Sequence, residues 1–229
     1  VFLARYFALP EGLKDRALRL RLRHQLGEFA RVCLGDRFSA PWSALHRELL
    51  DREKTAWRQR DQVQKLADAA PRGAAKSTLE SWASILHDVV YGLEVFVCLI
   101  STTYSLSEDL AADLYEALTR PEAYPALHAL YGPITVTGTR TDFVVAAPGG
   151  DPLGTRISAF SYTGAIRGKK HRGQRPSKVV VDDGEHPDRV RSPVTRAKTW
   201  DFLTKDILKA GDRYTVYRVI GTVLHPDSL

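Results

Sequence analysis

The chain has 229 residues, 44% of them hydrophobic, and 33 Lys and Arg stand against 27 Asp and Glu for a net charge of +6. That length buries one substantial core, and the modest excess of positive charge attracts polyanions without making a disordered basic tail. Charge alone does not separate a nucleic-acid or nucleotide partner from solvated Arg-rich helix faces. Two cysteines, Cys33 and Cys98, exclude a disulfide framework. No apolar run approaches the roughly 20 residues that span a bilayer, and no leader is evident, so a soluble intracellular protein with no membrane partner is expected.

In chain order, the first sixty residues read as a helical extension. Leu13, Leu18, Leu22, Leu26, Phe29 and Val32 recur at helical spacing with basic residues between them. A second helix is expected after Pro41, with Ser43 near its cap and Leu45, Leu49 and Leu50 on one face. From residue 61 to 229 the texture becomes short apolar runs separated by helical periodicity, the pattern of an α/β sheet. Strands are expected at Val63–Ala69, Val95–Ser101, Phe143–Ala147, Thr155–Phe160, Lys178–Val181 and Tyr214–Ile220. Helices are expected at Ser77–Tyr91, Glu108–Leu118 and Arg196–Lys209, and Gly149-Gly150-Asp151-Pro152 signals a hairpin turn.

Ala70-Pro71-Arg72-Gly73-Ala74-Ala75-Lys76-Ser77-Thr78 follows a predicted strand and opens a predicted helix, the setting of a phosphate-binding loop. In such a loop successive backbone N–H groups and the helix N-terminus cradle phosphates. Lys76 then supplies a positive charge, and the Ser77 hydroxyl is a ligand for Mg²⁺. Ala70 and Ala75 occupy places where glycines are expected, adding a methyl where the backbone needs positive φ or close phosphate approach. The competing reading is an ordinary strand-loop-helix junction.

A second motif answers the first. Val179-Val180-Val181 runs into Asp182-Asp183-Gly184-Glu185, and paired acids at a strand tip repel unless a cation offsets them. Asp182 is the expected metal ligand, while Asp183 or Glu185 orients and deprotonates an attacking water. Asp183 has the adjacent position and Glu185 the longer reach, so both stand. A plain turn or helix cap is the alternative for the acid pair.

Together with Ile166-Arg167-Gly168, Gly173-Gln174-Arg175-Pro176 and Ile220-Gly221-Thr222-Val223-Leu224-His225, these motifs resemble the ATPase domain of viral large terminase subunits. The likeness covers roughly residues 62 to 229. It implies a RecA-like P-loop ATPase fold, with a mainly parallel central sheet flanked by helices and a helical N-terminal extension. It implies ATP and Mg²⁺ as ligands and hydrolysis that moves double-stranded DNA into a procapsid. A portal protein, a small terminase subunit and a homo-oligomeric ring on the portal, with a monomer in isolation, are the implied partners and states. The implied location is the host cytoplasm, and the nuclease domain that follows in that family is absent from this chain.

The resemblance also assigns residues. Terminase loops tolerate missing glycines and carry an Arg four residues before the Lys, as Arg72 does, implying a phosphate contact. Thr222 falls in the coupling motif as a γ-phosphate sensor. Arg167, Arg172 and Arg175 lie in a basic run without acids and are candidates for an arginine finger acting on a neighbouring subunit, or for DNA-phosphate contacts. Phe38, Trp42 and His46 are candidates for the adenine, beside a core-packing reading. A helicase-like translocase and a non-hydrolysing nucleotide- or DNA-binding module remain the competing functions.

Overall fold

The computed structural model describes residues 11–59, 61–147, 153–162, 164, 166–188, 190–224 and 226. Three helices lead: α1 (Glu11–Leu22), α2 (Leu26–Cys33) and α3 (Ala44–Arg58). The periodicity predicted through Val32 breaks at Arg23–Gln25, where the Gln25 N–H closes back on the Leu22 carbonyl. The break lets α2 cross α3 closely, since a Cβ on Gly27 would sit 2.8 Å from Leu50 Cδ1. Ser43 caps α3, its hydroxyl accepting from the His46 N–H.

Seven strands follow: β1 (Gln64–Ala69), β2 (Phe96–Ser101), β3 (Thr135–Thr139), β4 (Asp142–Ala146), β5 (Thr155–Ser161), β6 (Lys178–Asp182) and β7 (Val216–Gly221). They form one sheet in the order β1-β7-β6-β2-β5-β4-β3, parallel from β1 to β5 and antiparallel beyond it. β2 and β6 are buried along their whole length, which suits their runs of Val, Ile and Leu to central parallel strands. The mainly parallel α/β sheet flanked by helices that the sequence leads one to expect is the fold observed. β3 was not expected: Thr135-Val136-Thr137-Gly138-Thr139 is polar and mostly exposed, held at the sheet edge only by β4. The predicted turn at 149–152 lies outside the described residues.

The helix after β1 opens with a π-helical turn, Thr78–Ala83, and continues as α4 (Ser84–Val90). Further helices are α5 (Tyr104–Thr119), α6 (Pro125–Tyr131) and α7 (Pro193–Lys205). The short α6 had no sequence signal beyond Pro at its first turn. Helices cover both faces of the sheet. On one face Leu22, Phe29 and Leu49 pack into the same buried cluster as Leu79, Trp82, Leu86 and Val180, so the leading helices share a core with the helix after β1. On the other, Leu203 and Ile207 cover Val179, Val181 and Tyr217. Each such side chain stabilises the fold by about 1.5–3 kcal/mol. No helix among the described residues is long and apolar enough to cross a membrane.

Candidate functional site

The parallel register brings the strand ends to one level. Ala69 pairs with Gly221, Asp182 with Ile220, and Ser101 with Asp182, so the predicted loop, acids and coupling motif all emerge at the carboxyl edge of the sheet. That edge is where open α/β sheets bind ligands.

Lys178, Val180 and Asp182 alternate onto the face covered by the helix after β1. The Asp182 carboxylate accepts from the Ser77 hydroxyl (Oγ–Oδ1 2.8 Å) and the Ser81 hydroxyl (Oγ–Oδ2 2.8 Å). Burial pushes the Asp182 carboxyl above its ordinary value and neighbouring Asp183 adds to this, while the two hydroxyls and Lys76 oppose it. Ser81 was not foreseen; its signal was spacing, since it lies one helical turn after Ser77 and so shares its face. Ser77 and Asp182 present hard oxygen donors side by side, the chemistry Mg²⁺ favours, so the residues present fit that ion. Among the described residues no three His, Cys, Asp or Glu side chains form a cage of their own.

Lys76 is buried, and its ammonium donates to the Thr222 hydroxyl across 3.1 Å, joining the loop to the tip of β7. The loop is further fixed by the Ala70 N–H on the Gly221 carbonyl. His46 Nε2 lies 2.9 Å from the Ala74 carbonyl, so it is the protonated nitrogen, while Nδ1 accepts from the Ser43 N–H. Thus His46, for which the sequence offers adenine contact or core packing, bonds the loop backbone here. Phe38 is buried against Trp82 and Trp42 in the core. Ala75 adopts φ +52°, whereas Ala70 is absent from the left-handed residues. The missing glycine therefore strains the backbone at one place only. Pro71, Arg72 and Gly73 are exposed, and Ala74 and Thr78 are half-buried.

Asp183 has φ +48° and an exposed side chain. Its backbone is pinned: its N–H donates to the Ile220 carbonyl, and its own carbonyl accepts from the Thr102 N–H and hydroxyl. Gly184 stands in close quarters, because a Cβ would lie 2.9 Å from the side chains of both Tyr162 and Val181 and one of them would have to move. Glu185 is half-buried and, with Asp183, Gly221 and Thr222, lines a cavity of about 220 Å³ against β1 and β7. Both acids thus border the same space.

The three finger candidates sit at the opposite, amino edge of the sheet. Arg167 donates to the Lys205 carbonyl and pairs with Asp206 at 2.9 Å, and Arg175 donates to the Lys209 and Gly211 carbonyls, each at 3.2 Å. Both bind carbonyls at and just beyond the end of α7, where cations are favoured. Arg172 occupies a tight turn between His171 and Gln174, where it and Gly173 have positive φ, and it donates to the Gly154 carbonyl. None of the three is brought to the loop of its own chain.

No family model and no curated protein matches the sequence. Among solved structures, the chain is similar to the large terminase of bacteriophage HK97, with a TM-score of 0.54, 13% identity, and coverage of 87% of this chain and 37% of that one. A large terminase from a thermophilic bacteriophage matches at TM-score 0.49 and 13% identity, covering 80% of this chain and 39% of that one. A Thermus phage large terminase ATPase domain matches at 0.43 and 13%, covering 82% and 70%. This chain therefore spans well under half the length of the first two. It shares the fold of the region it matches in the HK97 large terminase.

Proposed function

We propose that this chain is the ATP-hydrolysing domain of a large terminase, which moves double-stranded DNA into a procapsid. The observation that carries the reading is the meeting of Ser77 and Asp182 at 2.8 Å, with Lys76 on Thr222 beside them, at the carboxyl edge of a terminase-like sheet. ATP is the substrate, its phosphates held by loop N–H groups between Arg72 and Thr78, with Lys76 and Arg72 meeting their charge. Ser77 and Asp182 hold Mg²⁺, which when bound neutralises charge on the phosphates. Asp183 or Glu185 orients the attacking water and takes its proton. Thr222 senses the γ-phosphate, and release of its bond to Lys76 reports that phosphate to β7.

Arg172, at a turn tip far from its own loop, suits a finger that acts on the next subunit of a ring, whereas Arg167 and Arg175 shape the surface around it. Portal protein, small terminase subunit and double-stranded DNA are the proposed partners, at the procapsid portal in the host cytoplasm. Steady-state phosphate release by the wild type, Lys76→Ala and Asp182→Ala tests the reading. Each variant is expected to lose activity by about 10²-fold or more. Equal release from all three sinks it, and release at the protein-free background from all three leaves a non-hydrolysing nucleotide- or DNA-binding module.

A further inference from the structure

Under β7 a guanidinium is enclosed by acids from three other elements. Arg218 is 2% exposed, and its Nη1 lies 2.7 Å from Glu80 Oε1, 2.7 Å from Glu53 Oε1 and 3.9 Å from Asp68 Oδ2. Glu80 belongs to the π-helical turn that follows the loop, Asp68 to the strand that precedes it, and Glu53 to α3. Arg218 itself stands on β7, four residues before Thr222. Arg52 of α3 pairs with Asp68 and donates to the Ala67 carbonyl, and α3 also reaches the loop through His46.

Stability alone does not account for such a cluster. Buried ion networks are often matched or bettered by apolar residues of equal volume, so their use lies in specifying one arrangement. A planar guanidinium suits that use, because its fixed fork constrains direction as well as distance. The π-helical turn points the same way, since such turns are rare and concentrate at functional sites. Here the turn carries Glu80 into the cluster.

We propose that Arg218 is a positioning residue: by clamping Asp68, Glu80 and β7 together, it sets the phosphate loop against the tip of β7 so that Lys76 meets Thr222. Its consequence for turnover rests on the ATPase reading above. The clamp itself is a property of the chain without nucleotide, and its test begins there.

The test is hydrogen exchange and ATP turnover in Arg218→Lys, which keeps the charge and loses the fork. Exchange is expected to rise about tenfold in 70–78 and 219–222 while β2 and β5 exchange as in the wild type. Turnover is expected to fall about 10- to 100-fold in kcat with KM changed less than about threefold. If Arg218→Lys does not fold, Arg218→Met with Glu80→Gln, which removes the guanidinium and its most buried acid together and leaves Asp68 to Arg52, is read the same way. Wild-type exchange in both segments overturns the proposal, as does a rise spread evenly over the whole sheet. A local rise in a chain that hydrolyses no ATP keeps the clamp and overturns the ATPase reading instead.

Discussion

The two edges of the sheet handle charge in opposite ways, and β6 shows both on one face. At its amino end Lys178 is 2% exposed and paired at 2.7 Å with buried Asp88 of α4, and its ammonium also donates to Ser84. At its carboxyl end Asp182 is held by two neutral hydroxyls. The first charge is matched within the fold; the second keeps capacity for a cation. Backbone strain follows the same division, since two of the three left-handed non-glycine residues described, Ala75 and Asp183, stand at the carboxyl edge. A fold tolerates uncompensated charge and strain where binding offsets them.

Thermal melts of Lys178→Met and Asp182→Asn test this contrast most strongly. Lys178→Met removes the cation that offsets Asp88 and is expected to cost about 3–5 kcal/mol, on the order of 10 °C in Tm. Asp182→Asn keeps one oxygen that accepts from a hydroxyl and an amide that can donate to the other, and is expected to move Tm by only a few degrees, while abolishing most phosphate release. Equal destabilisation by both would erase the distinction between the two ends.

A smaller effect is expected from pH, through the charges between the edges. Burial pushes Glu80 up to about 8, helped by Asp68 and Glu53 and opposed by Arg218. A carboxyl whose folded value exceeds its unfolded one contributes stability that is fully present below the unfolded value and is lost as pH rises through the folded one. Wild-type Tm is therefore expected to fall between about pH 5 and pH 8, and Glu80→Gln to flatten that fall. A constant difference between the two proteins across this range would refute the assignment.

The sequence made the strand ends legible because each motif is local: an apolar run, then a loop or a pair of acids. Ser77 and Asp182 could be named before their contact was seen. Arg218 and Glu80 could not, because they lie 138 residues apart and a charged residue in a strand or helix reads as a solvated one. Thr102, which pins Asp183, was hidden for the same reason. β3 was missed because an exposed edge strand of threonines carries no hydrophobic alternation.

The smallest effect concerns the two alanines that stand where the loop pattern expects glycine. Their backbones differ: Ala75 has φ +52°, and Ala70 is buried with its N–H on the Gly221 carbonyl and is not left-handed. Ala75→Gly relieves a conformation that disfavours a Cβ by about 1–2 kcal/mol, partly offset by the extra freedom of glycine in the unfolded chain. Ala70→Gly gains only that freedom and loses a buried methyl, so it is expected to cost about 1 kcal/mol. The two replacements, each restoring the glycine pattern, should move Tm in opposite directions by about 2–4 °C. Shifts of the same sign would mean that the strain at the carboxyl edge does not reside at Ala75.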